Sequence, residues 1–464
     1  MIVFIWLLSF AQAELWQVDT ITEEIDWWSV WGDPQLSGLV RQGIENSPDA
    51  TIAWARLEQS RAAAGQLRAG FLPSLSASFS SNSQPSDALG FGFGLGNLDD
   101  LMPDIPGMPV EEEEEDENDV FTTATMAVNL SLPLDIYGTN YSMYQAGQKE
   151  ALATEQDRIN VMRQLSFGIA NLYYDLILVQ KQREIIEEQQ KIVLNILKTI
   201  EAGHQRTESS VLDVLQQRQQ VSAMESQLIQ IKQMEQALRY QLAFLIGETP
   251  QFSLETSKDI PIISALTISD YQFWIDQRPD VQAAELRLVS AEKRRYNAMT
   301  QVLPQLAIGG KLSRQANYQG EDEDPRWDTL DAWGVSTSAS LVLFQGGGQL
   351  ERLRSASAGV VMAEENLRKT RLQAMQDLEL SLLGERTQEE LLRATEKQTG
   401  DALLAYKEAQ YQYSKGVAPF LSVMTTQQVA QQAELMLAQQ HREMIRTRFQ
   451  TYMTLGYSDV GGNK

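Results

Sequence analysis

The chain has 464 residues, and its 62 acidic against 38 basic side chains leave a net charge of −24, which repels a phosphate backbone and makes nucleic acid a poor partner. It has no cysteine and only two histidines, His204 and His441, so disulfides, thiolate chemistry and cysteine-histidine zinc sites are excluded. A mean hydropathy of −0.29 with 43% hydrophobic residues describes a polar-surfaced chain rather than a helical membrane protein.

The longest apolar run, Ile2 to Ala11, is about half the ~20 residues that a spanning helix needs. It ends in Ala11-Gln12-Ala13, a small-x-small cleavage pattern, so residues 1–13 are expected to be an export signal and the mature chain to begin at Glu14. A helix is expected from Ser47-Pro48-Asp49, with serine as cap, proline at the first helical position and a carboxylate at the positive dipole end; it stops before Pro73.

Two strands follow, over about 74–82 and 121–134. Leu75, Ala77 and Phe79 alternate with serines in the first, and Ala124, Met126, Val128, Leu130 and Leu132 alternate with polar residues in the second. The loop between them, 83–120, holds eight carboxylates in the nine positions Glu111 to Asp119. Such a block repels itself, and without calcium-loop spacing it reads as a solvated exterior loop rather than a cation site. Helices are expected over 139–247. The stretch from about 141 to 202 carries Leu165, Ile169, Leu172, Leu176, Ile186, Val193, Leu197 and Ile200 at helical spacing, a coiled-coil dimension.

The second half repeats this order. Ser47-Pro48-Asp49-Ala50 returns as Arg278-Pro279-Asp280-Val281 and Phe71-Leu72-Pro73 as Val302-Leu303-Pro304, both offset by 231 residues. Leu134 to Gly138 returns as Leu343 to Gly347, Leu212 to Leu215 as Leu421 to Met424, and Gly247 as Gly456, all offset by 209. The chain is therefore a duplication, 14–250 and 276–457, joined by 251–275 with a short tail at 458–464. Strands are expected over 305–314 and 332–344, and long helices over 346–456. Leu306, Ile308 and Leu312 face one way on the first of these strands, and Val335, Ala339, Leu341 and Leu343 on the second.

Two readings fit the strands: a soluble sandwich, or membrane strands of about ten residues. Four strands cannot close a barrel, so membrane strands would have to be pooled by two or more chains.

Five motifs stand in order along the chain: Trp27-Trp28 with Asp33-Pro34-Gln35-Leu36, Pro133-Leu134-Asp135-Ile136-Tyr137-Gly138, Leu212-Asp213-Val214-Leu215-Gln216, Leu245-Ile246-Gly247, and Arg278-Pro279-Asp280 followed by Ala284-Glu285. Their order within the duplication resembles the outer membrane efflux protein family, the TolC-like outer-membrane factors. The tryptophans and the Arg-Pro-Asp element look most like the branch serving resistance-nodulation-division pumps.

The resemblance implies a mainly α fold with a membrane β-barrel: a homotrimer with a twelve-stranded outer-membrane barrel in lipid, continuous with a periplasmic helical barrel. It implies a passive exit duct whose partners are a periplasmic adaptor and an inner-membrane pump. The gate would lie at the helix tips, Thr207 to Leu215 and Gly416 to Met424. The implied gate residues are Leu212, Asp213, Thr207, Gly416, Leu421 and Thr425; the strand-to-helix turns are Asp135, Gly138, Gly346 and Gly347. Thr207 stands where relatives often keep glycine, and Thr425 where many keep aspartate. Asp213 has two readings, a helix cap or one member of an acidic pore ring.

No phosphate loop, nucleophile elbow or His-Glu-x-x-His element occurs, and Gly346-Gly347-Gly348 lacks the lysine of a phosphate cradle. The chain is expected to be no enzyme and to carry no cofactor or metal. The rival reading from another class is a periplasmic coiled-coil scaffold or adhesin that conducts nothing.

Overall fold

The computed structural model describes residues 27–85, 120–206, 210–250, 271–319 and 326–455. The export signal, the acidic run 111–119, Thr207 and Gly456 fall outside them. A short 3-10 helix, Trp27–Trp31, leads into α1 (Pro34–Asn46) and α2 (Pro48–Ala69), followed by strands β1 (Ser74–Pro85) and β2 (Val120–Leu134) and helices α3 (Thr139–Gln205) and α4 (Val211–Leu245). The second half runs α5 (Tyr271–Asp276), α6 (Pro279–Thr300), β3 (Gln305–Gln319), β4 (Arg326–Ser340), α7 (Gly348–Ser414) and α8 (Phe420–Thr454). The helices of the two halves match in length: 22 residues for α2 and α6, 67 for α3 and α7, and 35 for α4 and α8.

Two compact units emerge, one from Met1–Arg61, Gln148–Ser290 and Val360–Lys464, the other from Ala62–Gly147 and Ala291–Gly359. Each draws on both halves of the sequence.

The first unit is helical. Its core gathers Trp27, Trp28, Leu36 and Val40 with Ile169, Tyr173, Tyr174, Ile246 and Phe449. Polar anchors fix this N-terminal segment. Trp27 Nε1 donates to Ser166 Oγ at 3.0 Å, and Tyr173 OH donates to Asp33 Oδ2 at 2.9 Å. The same Asp33 caps α1, its Oδ1 accepting from the amides of Gln35 and Leu36. Gly247 ends α4 in a left-handed turn at φ 74°, where a Cβ would stand 2.4 Å from the Asn46 carbonyl oxygen, so no other residue fits.

The Arg-Pro-Asp element opens α6, and Arg278 grips Asp280 through Nε (3.0 Å) and Nη2 (2.8 Å) while Nη1 donates to the Thr454 carbonyl at the end of α8. Burial pushes the Asp280 carboxyl up, but the Arg278 guanidinium outweighs it and holds the group below the usual carboxylate range. Arg163 donates to the Met453 carbonyl at 2.7 Å, and burial, with Arg278 nearby, lowers its pKa to about 10.

Along α7 the buried residues Val360, Leu367, Ala374, Ser381, Gln388, Thr395, Ala402 and Ala409 recur every seventh position, the seam of a left-handed coiled coil. In α3, buried Ile186, Val193 and Ile200 keep the same step, while Leu172 is only partly buried.

The second unit holds a four-stranded antiparallel sheet in the order β1-β2-β3-β4. All four strands outrun the expected bounds, β1 to Pro85, β2 by one residue from Val120, β3 to Gln319, and β4 from Arg326. At its other end β4 stops at Ser340 rather than 344, although its apolar alternation continues. The ladder ends on the pair Gln305↔Ser340 because β3 starts there, after Pro304, which has no amide to donate. No helix among the described residues is long and apolar enough to cross a membrane.

Candidate functional site

Both helix tips belong to the first unit. At the first tip Ser210 caps α4: its hydroxyl accepts from the Leu212 amide at 3.1 Å, and Asp213 Oδ2 accepts from the Ser210 amide at 3.1 Å. This reciprocal capping box satisfies two amides at the positive end of the helix dipole. Asp213 thus has a local task in the single chain. Leu212 beside it is 61% exposed. Arg218 braces the tip by donating through Nε and Nη2 to Glu201 Oε1 on α3, at 3.1 and 2.8 Å.

At the second tip α7 closes in a Schellman turn, in which the Gly416 amide donates to the Tyr413 carbonyl (2.9 Å) and the Val417 amide to the Gln412 carbonyl (3.0 Å). Gly416 sits at φ 71°, the left-handed conformation that the turn requires. Pro419 precedes α8 without a side-chain cap. Thr425 donates its hydroxyl to the carbonyls of Leu421 and Ser422 in its own helix, and Leu421 is exposed.

One core joins the tips. Val214 of the first packs in the same cluster as Phe420 and Val423 of the second, with Ile200, Tyr406 and Ala409. Leu212 and Leu421 lie outside that cluster, so the tips share a side-chain core that does not include these two leucines. Next to it a groove of about 330 Å³ is lined by Ile192, Ile196, Ile200, Tyr413, Phe420 and Val423. The Glu201–Arg218 brace and the Tyr413–Phe420 ring contact at 5.6 Å were not read from the sequence; the hairpin register, which sets residues on either side of the turn opposite each other, is the signal that finds the brace.

The strand-to-helix turns belong to the second unit. Asp135 accepts from the amides of Asn140 (Oδ1, 3.2 Å) and Tyr141 (Oδ2, 2.7 Å), capping α3 across the turn. Gly138, Gly346 and Gly347 all have positive φ, at 67°, 58° and 81°.

The sheet register sorts the strand residues into two faces. Leu75 pairs with Leu130, Leu130 with Gly310 and Gly310 with Val335; Ala77, Val128, Leu312 and Trp333 form the next row. The opposite face is mostly small and polar, with rows such as Ser74–Ser131–Gly309–Ser336 and Ser76–Asn129–Lys311–Gly334, and exposed Leu330 is its large apolar exception among the described side chains. Among the described residues nothing covers the apolar side chains: Leu75 is 73% exposed and Trp333 81%. The outer strands β1 and β4 each have one edge that is unpaired among the described residues. This arrangement suits a lipid-facing wall with a wet interior.

A family model described as outer membrane efflux protein matches residues 39–248 and 271–456. Among curated proteins, the pyoverdine export outer membrane protein OpmQ of Pseudomonas aeruginosa is 25% identical over 93% of this chain and 86% of its own length. The solvent efflux pump outer membrane protein SrpC of Pseudomonas putida is 24% identical over 91% of this chain and 85% of its own. Among solved structures, the outer-membrane channel OprN superposes with a TM-score of 0.78 at 22% identity, covering 95% of this chain and 96% of that one. The outer membrane protein VceC of Vibrio cholerae gives 0.74 at 21% identity, over 93% and 98%.

Proposed function

The chain belongs to the outer membrane efflux protein family, and from this premise we propose that three copies form a passive exit duct across the outer membrane, fed by a periplasmic adaptor and an inner-membrane pump. The observation that carries the proposal is the open sheet. Among the described residues it has four strands, one apolar exposed face and two unpaired edges. Unpaired backbone is too costly in lipid and a barrel needs about eight strands or more, so copies must pool their strands. Three copies give twelve.

A second feature supports self-association. On α7 the exposed residues Val361, Leu372 and Leu383 recur every eleventh position, an apolar stripe that no described residue covers, on the helix that also carries the buried seven-residue seam. The efflux role draws on relatives whose names place them in export and efflux pumps. In this reading the tips around Asp213 and Gly416 close the duct at rest and open when the adaptor docks, with Leu212 and Leu421 at the constriction.

Light scattering on the detergent-extracted protein tests the assembly, and planar-bilayer recording tests conduction. A mass of three chains with discrete conductance is expected. A soluble species of another stoichiometry would sink the proposal, and a membrane trimer without conductance would leave a scaffold.

A further inference from the structure

On the apolar face of the sheet the rows run, from the strand ends nearest the helices, Leu134–Leu306–Ala339, Leu132–Ile308–Thr337, Leu75–Leu130–Gly310–Val335 and Ala77–Val128–Leu312–Trp333. The fifth row breaks the pattern, because it reads Phe79–Met126–Arg314–Asp331. Arg314 donates to Asp331 through Nε at 2.6 Å and Nη2 at 2.7 Å, and the two side chains remain 66% and 61% exposed. An ion pair therefore stands on the face assigned to lipid.

Its depth can be argued. Charge on the lipid face of a barrel is costly at the midplane and nearly free at the interface, and pairing does not remove the cost of leaving water. Strands tilted by roughly 40° rise about 2.5 Å per residue along the barrel axis, so an apolar band of about 25 Å takes roughly ten residues. A band centred on β4, Arg326–Ser340, has Trp333 at its middle and Asp331 two residues away, close to the midplane.

Sliding the band toward the helices until the ion pair leaves it makes it run from Trp333 to about Leu343. That end of the chain is suited to lipid. Past the end of β4 the run Leu341-Val342-Leu343-Phe344 is exposed, Leu343 at 88% and Phe344 at 86%, and Ile136 is 63% exposed.

We propose that the apolar layer of the outer membrane covers the sheet from the Trp333 row down to Leu343, with Ile308 near its middle, and that Arg314–Asp331 stands in the outer headgroup layer. The placement rests on the channel reading above, since residues 341–344 lie beyond the ladder in the single chain and at that depth need the strand edge of a neighbouring copy.

The chain has no cysteine, so single introduced thiols can report depth. Ile308→Cys, Leu312→Cys, Ala316→Cys and Leu343→Cys would each carry a bimane label in the full chain, reconstituted into phosphatidylcholine vesicles with nitroxides at the headgroup or at mid-chain. At Ile308→Cys the mid-chain nitroxide is expected to quench about twofold more than the headgroup one. Leu343→Cys is expected to favour the headgroup nitroxide, and Ala316→Cys to escape mid-chain quenching. Strongest mid-chain quenching at Leu312→Cys, with Leu343→Cys unquenched, would overturn the placement and leave the channel reading intact. No quenching at any site would overturn both.

Discussion

Asp213 holds its carboxylate on the Ser210 amide, three residues back, and this local bond decides what the side chain does in the single chain. The pattern was legible, because a capping box lies within four consecutive residues. Whether three such carboxylates also ring a pore is a property of the assembly, which one sequence does not display. Asp213→Ala should cost the tip about 1 kcal/mol of local stability, raising exchange of the Ser210 to Val214 amides about fivefold. Hydrogen-exchange mass spectrometry reads this directly, and Asp213→Asn should restore protection. Unchanged exchange in the alanine variant would show that the cap is idle. Other residues gave no local signal. Arg448 and buried Glu385 pair across 63 positions, and Arg442 forms an ion pair with Asp175 at 2.7 Å and donates to the Asn171 carbonyl at 3.1 Å from the far end of the chain. Only packed helices create such neighbours.

At the scale of elements, periodicity carried most of the information. The alternation of β1 and β2 predicted both strands, and the leucine and isoleucine spacing of α3 predicted its buried side. The ends were less readable, since β4 is cut at Ser340 by where its partner β3 begins and not by anything in its own sequence. α7 shows why amphipathicity alone undercounts a helix's tasks. Its seven-residue positions are buried in the chain while Leu372 and Leu383, on the eleven-residue stripe, are exposed at 56% and 61%. A substitution on the stripe should therefore spare folding and cut assembly. The double variant Leu372→Glu, Leu383→Glu is expected to retain its helical circular dichroism while light scattering reports single chains. Loss of helicity would mean that the stripe is covered within the chain, and an intact oligomer would mean that copies meet elsewhere.

At the scale of the molecule, the duplication read from the sequence and the compact units do not coincide. The reason lies in one ladder: β2 of the first half pairs with β3 of the second, from Thr122↔Tyr318 to Leu134↔Leu306, so the sheet draws on both halves at once. Repeats report ancestry along the chain, whereas compactness reports which elements share hydrogen bonds. That shared sheet gives the clearest test of which medium meets which face. Ser131 and Leu132 are neighbours in β2 and point to opposite faces, one in the row Ser74–Ser131–Gly309–Ser336 and the other beside Ile308. Replacing either by lysine adds the same charge to the same strand one residue apart, so a large difference between the two variants reports the surroundings. Leu132→Lys puts an ammonium on the face assigned to lipid, near the level where a barrel charges about 2–4 kcal/mol for it, once per copy in the assembly. It should fail to accumulate in the outer membrane. Ser131→Lys puts the same group into a polar, water-filled interior, so it should assemble normally and shift bilayer ion selectivity toward anions. Equal accumulation of both variants would mean that neither face meets lipid, and failure of Ser131→Lys alone would mean that the sheet is turned with its serine face outward.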